Sequence, residues 1–201
     1  MDTTLSSSLE ATLKDEILRM YEEIVEDPDA EFHFFHGREA ALMFGYEAEA
    51  LDTMPAGAVA SFAGVGNPHL RADLREGEVV VDLGSGAGLD ALLAARKVGR
   101  HGRVVGVDLN PTMCRAALRH AEAEGTVMEC HEAPMESVPL PDETADAVLS
   151  NGVLNLSFRK RAVMEEMYRI LRPGGRISIT DIVSAKQLSQ SIVNDPKLWA
   201  S

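Results

Sequence analysis

Residues 79–90 read Val-Val-Val-Asp-Leu-Gly-Ser-Gly-Ala-Gly-Leu-Asp, and the rest of the chain is organised around this stretch. The β-branched run predicts a strand that is buried on both faces, as in a parallel sheet. Glycines at alternate positions let the backbone approach a ligand that a Cβ would keep away. The helix that follows directs its unpaired N–H groups at the same place. The stretch therefore predicts a binding site for a nucleotide-type cofactor.

Strands and helices alternate on the C-terminal side of this turn. Strands are predicted at 79–83, 103–108, 126–131, 146–151 and 176–183, with helices at 89–98, at 111–124 and within 156–171. Such alternation is typical of the α/β class, here a Rossmann-like, doubly wound parallel sheet with right-handed crossovers.

The N-terminal part has a different pattern. Helical spacing predicts an amphipathic helix at 8–26 and shorter helical segments at 38–45, 47–52 and 69–75, whereas the Gly-rich segment 55–68 is expected to be a loop. We expect three parts: a helical lid and substrate segment (1–75), a cofactor-binding core (76–184) and a C-terminal tail (185–201).

Composition limits the partners of the chain. A net charge of −13 over 201 residues argues against nucleic acid as a partner, because nucleic-acid binding needs a basic surface. No apolar run reaches the roughly 20 residues that a membrane span needs, and the first ten residues do not resemble a secretory signal. A cytoplasmic location is expected. Cys114 and Cys130 predict neither a disulfide framework nor a zinc site and are interpreted as packed thiols.

The position of Asp82 favours one class of cofactor. This carboxylate lies two residues before Gly84, where it would repel a pyrophosphate but attract a ligand with an ammonium and a sulfonium group. We therefore expect S-adenosylmethionine rather than NAD. Asp108, at the end of the second strand, is placed to accept hydrogen bonds from ribose hydroxyls. The predicted donor-binding residues are Asp82, Gly84, Ser85, Gly86, Gly88, Asp108, Leu109, Met113, Met135, Glu136 and Asn151.

Other residues leave alternatives open. Glu132 or Glu136 is a candidate for contacting adenine, and either is equally a solvated loop charge. Asn151, Asn155 and His36 are the candidate catalytic residues. The two amides would orient donor or acceptor, or would satisfy backbone groups of a loop. The histidine would act as a base or pack within an aromatic segment, and no metal site is predicted.

Four motifs carry a resemblance to a known family. The segments are Asp-Leu-Gly-Ser-Gly-Ala-Gly at 82–88, Gly-Val-Asp-Leu-Asn-Pro-Thr-Met at 106–113, Asp-Ala-Val-Leu-Ser-Asn-Gly-Val-Leu-Asn-Leu-Ser at 146–157 and Leu-Arg-Pro-Gly-Gly-Arg-Ile-Ser-Ile-Thr-Asp-Ile at 171–182. With the Gly-Asn-Pro at 66–68, they resemble class I S-adenosylmethionine-dependent methyltransferases, and the arsenite methyltransferase branch most closely. The resemblance begins near Gly45 and implies the fold, the donor and an enzyme that methylates a small molecule or a metalloid.

Two departures from that branch bear on the acceptor. The branch holds trivalent arsenic with cysteine thiolates, because a soft metalloid prefers sulfur. One such cysteine precedes Gly-Asn-Pro, where this chain has Val65, and another follows Ser-Asn, where it has Gly152. A third would follow the end of the chain. Arsenite is therefore doubtful as the acceptor, and a protein that binds S-adenosylmethionine without turnover is the alternative.

The number of predicted strands is also smaller than the resemblance implies. The superfamily sheet has seven strands and ends in an antiparallel hairpin, whereas five strands fit here and the hairpin is missing. Either the chain is a truncated form, or the fifth strand is a sheet edge whose unpaired backbone groups another element must cover. We therefore expect a homodimer that covers this edge.

Overall fold

The computed structural model describes residues 7–28, 30 and 32–185. The helices are α1 (Ser7–Glu26), α2 (Gly37–Met43), α3 (Ala48–Asp52), α4 (Ala56–Ala60), α5 (His69–Ala72), α6 (Leu89–Val98), α7 (Pro111–Glu124) and α8 (Lys160–Ile170). The strands are β1 (Val79–Leu83), β2 (Arg103–Asp108), β3 (Glu129–Glu132), β4 (Ala145–Asn151) and β5 (Leu171–Thr180). Short 3-10 turns lie at Gly99–His101 and Leu154–Leu156.

The five strands form one parallel sheet in the order β3-β2-β1-β4-β5. β1 is central, and Val80, Val81 and Leu83 are completely buried, as the apolar run predicts. The chain winds outward in one direction from β1 to β3 and in the other from β4 to β5. A crevice opens between β1 and β4 at the carboxyl ends of the strands, which is where such sheets bind ligands. The predicted Rossmann-like fold is confirmed.

Helices cover both faces of this sheet. Val80 and Val104 pack with α2, α4, α6 and α7 on one face. Val81 and Val105 pack on the other, together with Val163 and two further apolar residues of α8. This alternation follows from the strand geometry, in which successive side chains point to opposite faces. The two layers bury β1 completely and hold its C-terminal turn in place.

The Gly-rich segment 55–68 is not the continuous loop that its composition predicts. It contains α4, which begins after Pro55 and packs closely against α7. A Cβ on Gly57 would lie 2.5 Å from Nε2 of His120. The small residues serve close helix packing here, and composition alone does not distinguish that from a loop.

Strand boundaries also differ from the prediction: β3 ends at Glu132 rather than at 131, β4 begins at Ala145 rather than at 146, and β5 ends at Thr180 rather than at 183. β3 begins at Glu129 rather than at 126, because Gly125 ends α7 in a left-handed conformation and Thr126 N–H still bonds back to Ala121. β5 begins at Leu171 rather than at 176. The register between β4 and β5 shifts there, so that residues 172–175 form a bulge. Pro173 lacks an N–H group and is tolerated at such a bulge on an edge strand.

None of the described helices is both long and apolar enough to cross a membrane. The predicted tail at 185–201 lies outside the described residues from 186 onward. The division of the chain at 75 and 184 stays a prediction.

Candidate active site

A cavity of about 490 Å³ lies at the carboxyl ends of β1, β2 and β4, beneath α1. The eleven predicted donor-binding residues all line it: Asp82, Gly84, Ser85, Gly86, Gly88, Asp108, Leu109, Met113, Met135, Glu136 and Asn151. They come from four separate segments of the chain, which the parallel sheet brings to one edge. Their contacts with a donor stay predictions.

The glycine turn forms the floor of this cavity. Gly84 and Gly86 have φ angles of +71° and +52°, a left-handed conformation that favours glycine. A Cβ on Gly84 would also lie 2.5 Å from two methyl groups of Val153. The N–H of Gly86 donates a 2.8 Å hydrogen bond to Oδ2 of Asp108. The turn is thus fixed to the end of β2 before any ligand arrives.

Three carboxyl groups surround the turn, two of them buried and that of Asp108 half-buried. Asp82 is 2% exposed and Asp90 is 7% exposed, and both line the cavity together with Asp108. Burial raises the pKa of Asp82 well above its usual range, and the charges of Asp90 and Asp108 raise it further. Burial also raises the pKa of Asp108, although backbone N–H groups from Asn110 and Gly86 oppose the shift. A positively charged ligand would relieve this repulsion.

Three side chains contact the carboxyl group of Asp90. Its Oδ1 accepts a 2.6 Å hydrogen bond from the Tyr46 hydroxyl and lies 3.1 Å from Nε2 of His69, and its Oδ2 accepts from Nδ2 of Asn151 at 3.0 Å. Burial and the adjacent Asp90 raise the pKa of Tyr46 strongly, so its hydroxyl remains a donor. Sequence reasoning missed Asp90 as a site residue. Its place at the start of the helix that follows the turn was the available signal.

Asn151 connects the lid segment to the sheet. Its Oδ1 accepts hydrogen bonds from the N–H groups of Val65 and Gly66 and from Oγ1 of Thr180, and its Nδ2 contacts the Gly66 carbonyl as well as Asp90. Both ends of the amide are therefore engaged within the protein. The geometry supports the backbone-satisfying alternative, and the predicted roles in donor binding and catalysis stay predictions.

The other two candidate catalytic residues do not line the cavity. The N–H of Asn155 faces the carboxylate of Asp181, and its Oδ1 is buried without a partner among the described residues. His36 bonds through Nε2 to the Pro28 carbonyl at 2.9 Å and packs edge-on against Phe32. Across the described residues, no histidine or cysteine lines the cavity and no cluster suited to a metal ion occurs. The geometry therefore gives His36 and Asn155 no support as catalytic groups.

Helix α1 covers the cavity with one face, which includes Leu18 and Tyr21. Nδ2 of Asn110 donates to the Leu18 carbonyl at 3.0 Å, and Oγ1 of Thr112 donates to Glu22 at 3.2 Å. Burial raises the pKa of Tyr21 to about 12, with a further contribution from the charge of Asp108. The place of Tyr21 over the cavity follows from the fold, which lays α1 across the carboxyl ends of the strands.

Residues 74–201 match a protein-family model described as a methyltransferase domain. The chain belongs to this methyltransferase family. The match begins just before β1 and includes the glycine turn and the crevice. The predicted resemblance to class I S-adenosylmethionine-dependent methyltransferases is confirmed, including the arsenite methyltransferase branch.

Relatives of this methyltransferase domain act on different acceptors. It is 39% identical over 153 residues to the arsenite methyltransferase of Halobacterium salinarum, a match that covers 76% of this chain and 39% of the relative. It is 38% identical over 112 residues to the ubiquinone/menaquinone biosynthesis C-methyltransferase of an Enterobacter species, covering 54% of this chain and 44% of the relative. The chain thus spans about two fifths of the length of these curated relatives.

A solved structure shows the same architecture. The arsenic(III) S-adenosylmethionine methyltransferase of Chlamydomonas reinhardtii superposes on this methyltransferase domain with a TM-score of 0.62 at 35% identity. The match covers 80% of this chain and 53% of that one. This likeness extends beyond the family-model match into the segment that precedes β1.

The cavity fits the cofactor that this family uses, S-adenosylmethionine. Its volume lies within the range of pockets that hold drug-sized ligands. The buried carboxyl groups of Asp82 and Asp90 suit a ligand that carries a sulfonium and an ammonium group, and the same charges would oppose a pyrophosphate. The methyltransferase domain therefore has both the space and the charge for this donor.

Proposed function

We propose that this domain transfers a methyl group from S-adenosylmethionine to a small-molecule or metalloid acceptor. One observation carries the proposal: the buried carboxyl groups of Asp82 and Asp90 and the half-buried one of Asp108 surround a glycine turn that lines a covered cavity. Buried carboxyl groups without a cationic partner are costly. A cationic donor would supply that partner.

The donor-binding roles follow from the chemistry of each side chain. Asp82 and Asp90 would face the cationic part of the donor. Asp108 would accept hydrogen bonds from the ribose hydroxyls. One of its oxygens accepts a hydrogen bond from the N–H of Gly86 and the other from the N–H of Asn110, and a carboxylate can accept more than two. Leu109 and Met113 would form the apolar wall for adenine.

When bound, S-adenosylmethionine supplies a methyl group on a positively charged sulfur. The protein holds the acceptor in line with that methyl group and keeps water away. Helix α1 and the apolar side chains of Phe62 and Phe158 close the cavity for this purpose. The buried carboxylates attract the cationic donor more strongly than the neutral thioether product, which favours product release.

The acceptor end of the cavity lacks the sulfur ligands of the arsenite methyltransferase branch. A Cβ on Gly152 would lie 3.2 Å from Cγ1 of Val65, so the two positions that the resemblance assigns to thiolates are neighbours in this fold. Neither carries sulfur here. This apolar pair supports an acceptor other than arsenite, and the similarity to a C-methyltransferase supports carbon as one alternative acceptor atom.

A second candidate function is donor binding without turnover. Two observations favour it. Both the oxygen and the nitrogen of the Asn151 amide already form hydrogen bonds within the protein, and no histidine is among the described residues that line the cavity. An acceptor that must lose a proton would need a base, and among the described lining residues only carboxylates such as Glu10 and Glu136 could serve. A soft or already nucleophilic acceptor would not need one.

Calorimetric titration tests the donor assignment. We expect S-adenosylhomocysteine to bind and NAD not to bind, and binding of neither ligand would contradict the proposed function. Incubation with methyl-labelled S-adenosylmethionine and a panel of metabolites and metalloids then separates the two candidates. Label in a product supports the transferase, whereas binding with no transfer across the panel supports the second candidate.

A further inference from the structure

Asp90 lies in the wall of the donor cavity, with polar side chains behind it. It lines the cavity itself, whereas Tyr46 and His69, which contact its carboxyl group, do not. These contacts are shielded from water, because Tyr46 is 6% exposed and the side chain of His69 is 14% exposed. The proposed methyl transfer gives Tyr46 and His69 no direct part. Their contacts nevertheless determine how a buried carboxyl group of the proposed donor site is held.

The orientation of the Asn151 amide shows the direction of its hydrogen bond to Asp90. Oδ1 of Asn151 accepts hydrogen bonds from the backbone N–H groups of Val65 and Gly66, which can only donate. The other end of the amide is therefore the nitrogen, and Nδ2 lies 3.0 Å from Oδ2 of Asp90. An amide nitrogen donates and does not accept. This oxygen of Asp90 is therefore an acceptor.

The hydroxyl of Tyr46 donates to the other oxygen of Asp90. It lies 2.6 Å from Oδ1 of Asp90 and 3.2 Å from the Gly66 carbonyl, and a hydroxyl has one hydrogen to donate. The shorter contact takes that hydrogen, because hydrogen bonds from a hydroxyl to a carboxylate have this length. Both oxygens of Asp90 thus accept hydrogen bonds from the protein.

His69 contacts the same oxygen as Tyr46, and its Nε2 lies 3.1 Å from Oδ1 of Asp90. Nε2 donates in the Nε2–H tautomer and in the protonated ring, and either form suits a carboxylate. The N–H of His69 donates to Oδ1 of Asn67 at 3.0 Å, and Nδ2 of Asn67 donates to the Gly45 carbonyl at 3.1 Å. Asn67 therefore links the two segments that bring Tyr46 and His69 to Asp90.

We propose that Tyr46 and His69 are positioning residues that hold Asp90 as an ionised carboxylate for the cationic part of the donor. Without these donors, an ionised Asp90 would be a buried charge with unmade hydrogen bonds, which is costly. Both residues precede residue 74, where the family-model match begins. The segment in front of β1 thus contributes to donor binding through Asp90. This inference rests on the proposed function, since it requires a cationic donor.

A double-mutant cycle tests the role of Tyr46, with the affinity for S-adenosylmethionine measured by calorimetry on the full chain. Tyr46→Phe keeps the ring and removes the hydroxyl, and we expect it to weaken binding about tenfold. In an Asp90→Asn background, the same substitution should weaken binding by less than about twofold, because Tyr46 acts through the charge of Asp90. A tenfold loss in both backgrounds would overturn the proposal, since Tyr46 would then act on packing alone.

Two substitutions at position 69 test the donated hydrogen bond of His69. His69→Leu removes the donor, and we expect it to weaken binding about tenfold. His69→Gln should retain most of the affinity, because its amide nitrogen can take the place of Nε2 as a donor. Equal losses in the two variants would show that His69 does not act by donating to Asp90, and would contradict the proposal.

Ser178→Ala is the matched control for loosening of the same segment. Oγ of Ser178 donates to the Pro68 carbonyl at 2.7 Å, so it holds this segment to β5 without contacting Asp90. Urea unfolding should show a loss of stability for this variant, while its donor affinity stays near that of the wild type. If Ser178→Ala weakens binding as much as Tyr46→Phe does, loosening explains both losses and the proposal is wrong.

The same measurements distinguish failure of this inference from failure of the proposed function. If the wild type does not bind S-adenosylmethionine, the proposed function fails and the inference fails with it. If the wild type binds and both Tyr46→Phe and His69→Leu bind equally well, the inference alone fails.

Discussion

At the scale of single residues, Asp82 determines the charge of the proposed donor site. Its carboxyl group is buried beside two others, and burial raises its pKa above the ordinary value of 3.8. In the free protein the neutral form is therefore favoured over a wider pH range than usual. A cationic donor needs the ionised form, so binding and deprotonation are linked.

The first prediction concerns this linkage. Affinity for S-adenosylmethionine should rise as pH increases through the raised pKa of Asp82, because deprotonation supplies the charge that holds the donor. Asp82→Asn should weaken binding at neutral pH by about tenfold or more and flatten this pH dependence. Calorimetry across a pH series measures both effects. The slope should not vanish, because the pKa of Asp108 is raised as well.

S-adenosylhomocysteine is the control ligand for Asp82→Asn, since its sulfur is neutral. We expect the variant to lose less affinity for it than for S-adenosylmethionine. Equal losses for both ligands would place the effect of Asp82 away from the sulfonium. An unchanged pH profile in the variant would remove Asp82 from the linkage altogether.

The second prediction introduces cysteine at positions 65 and 152, where the arsenite methyltransferase branch has thiolates. Val65→Cys with Gly152→Cys would place two thiols side by side, because a Cβ at position 152 lies within contact of Val65. We expect the double variant to bind arsenite, which the wild-type cavity does not ligate through thiolates. Gly152 has φ +74°, so its substitution should cost about 1–3 kcal/mol of folding stability. Arsenite titration monitored by calorimetry measures the gain.

Gly152→Ala and Val65→Cys are the controls for the double variant. The alanine variant carries the same backbone strain without a thiol, and the single cysteine cannot chelate. If the double variant binds arsenite no better than Val65→Cys, the two positions do not act together.

That the proposed donor-binding residues line one cavity was predictable, because the geometry of parallel sheets requires few assumptions. Once five strands are parallel, Asp82, Asp108 and Asn151 must meet at one edge. Asp90 was missed despite its place at the start of α6, and its contacts with Tyr46 and His69 were not predictable, since those residues lie far away along the chain. Such pairings depend on tertiary packing, which a single sequence does not display.

At the scale of elements, α1 covers the cavity through contacts with α7. Asn110 has two roles in this junction, because its Oδ1 caps α7 by accepting from the N–H of Thr112 and its Nδ2 donates to α1 at Leu18. Its side chain is 2% exposed. The start of α7 and the position of α1 therefore depend on the same amide.

The third prediction separates these two roles. Asn110→Ala should lose about 1–2 kcal/mol of folding free energy from the lost cap alone. Asn110→Ser retains a cap acceptor, but its shorter side chain lacks the amide N–H that donates to the Leu18 carbonyl. Urea unfolding should therefore show a smaller loss for the serine variant, while hydrogen exchange within α1 should be faster in both variants. Wild-type exchange in α1 of Asn110→Ser would show that the contact with Leu18 does not hold the lid.

Two of the differences from the prediction share one physical cause. Both α4 and the early start of β5 depend on packing that overrides local composition. Small residues permit α4 to approach α7, and the bulge at 172–175 lets β5 continue along β4 despite Pro173. Strand β1 and helices α6 and α7 were predicted at their observed bounds, because periodicity, a capping Asn110 and a terminal Gly125 agree there.

At the scale of the whole molecule, β5 pairs with β4 on one side, and among the described residues no strand pairs with its other side. Ile177 on this strand is 37% exposed. We propose that a second copy of the chain covers this edge. The fourth prediction is a dimeric mass in sedimentation at working concentration, shifted toward the monomer by Ile177→Lys, because a charge on an edge strand opposes strand pairing. A monomeric wild type would contradict the proposal.

The order of the strands also has a consequence for how the molecule is synthesised. β1, β2 and β3 are consecutive in the chain, whereas Val80 of β1 pairs with Ala147 of β4, which is made much later. Long-range parallel pairing forms slowly because a long loop must close first. The crevice between β1 and β4 therefore comes into existence only when translation has passed β4. A nascent chain can complete three strands and still have no place for a ligand. Donor binding would therefore stabilise the chain only at a late stage of folding, after β4 has paired with β1.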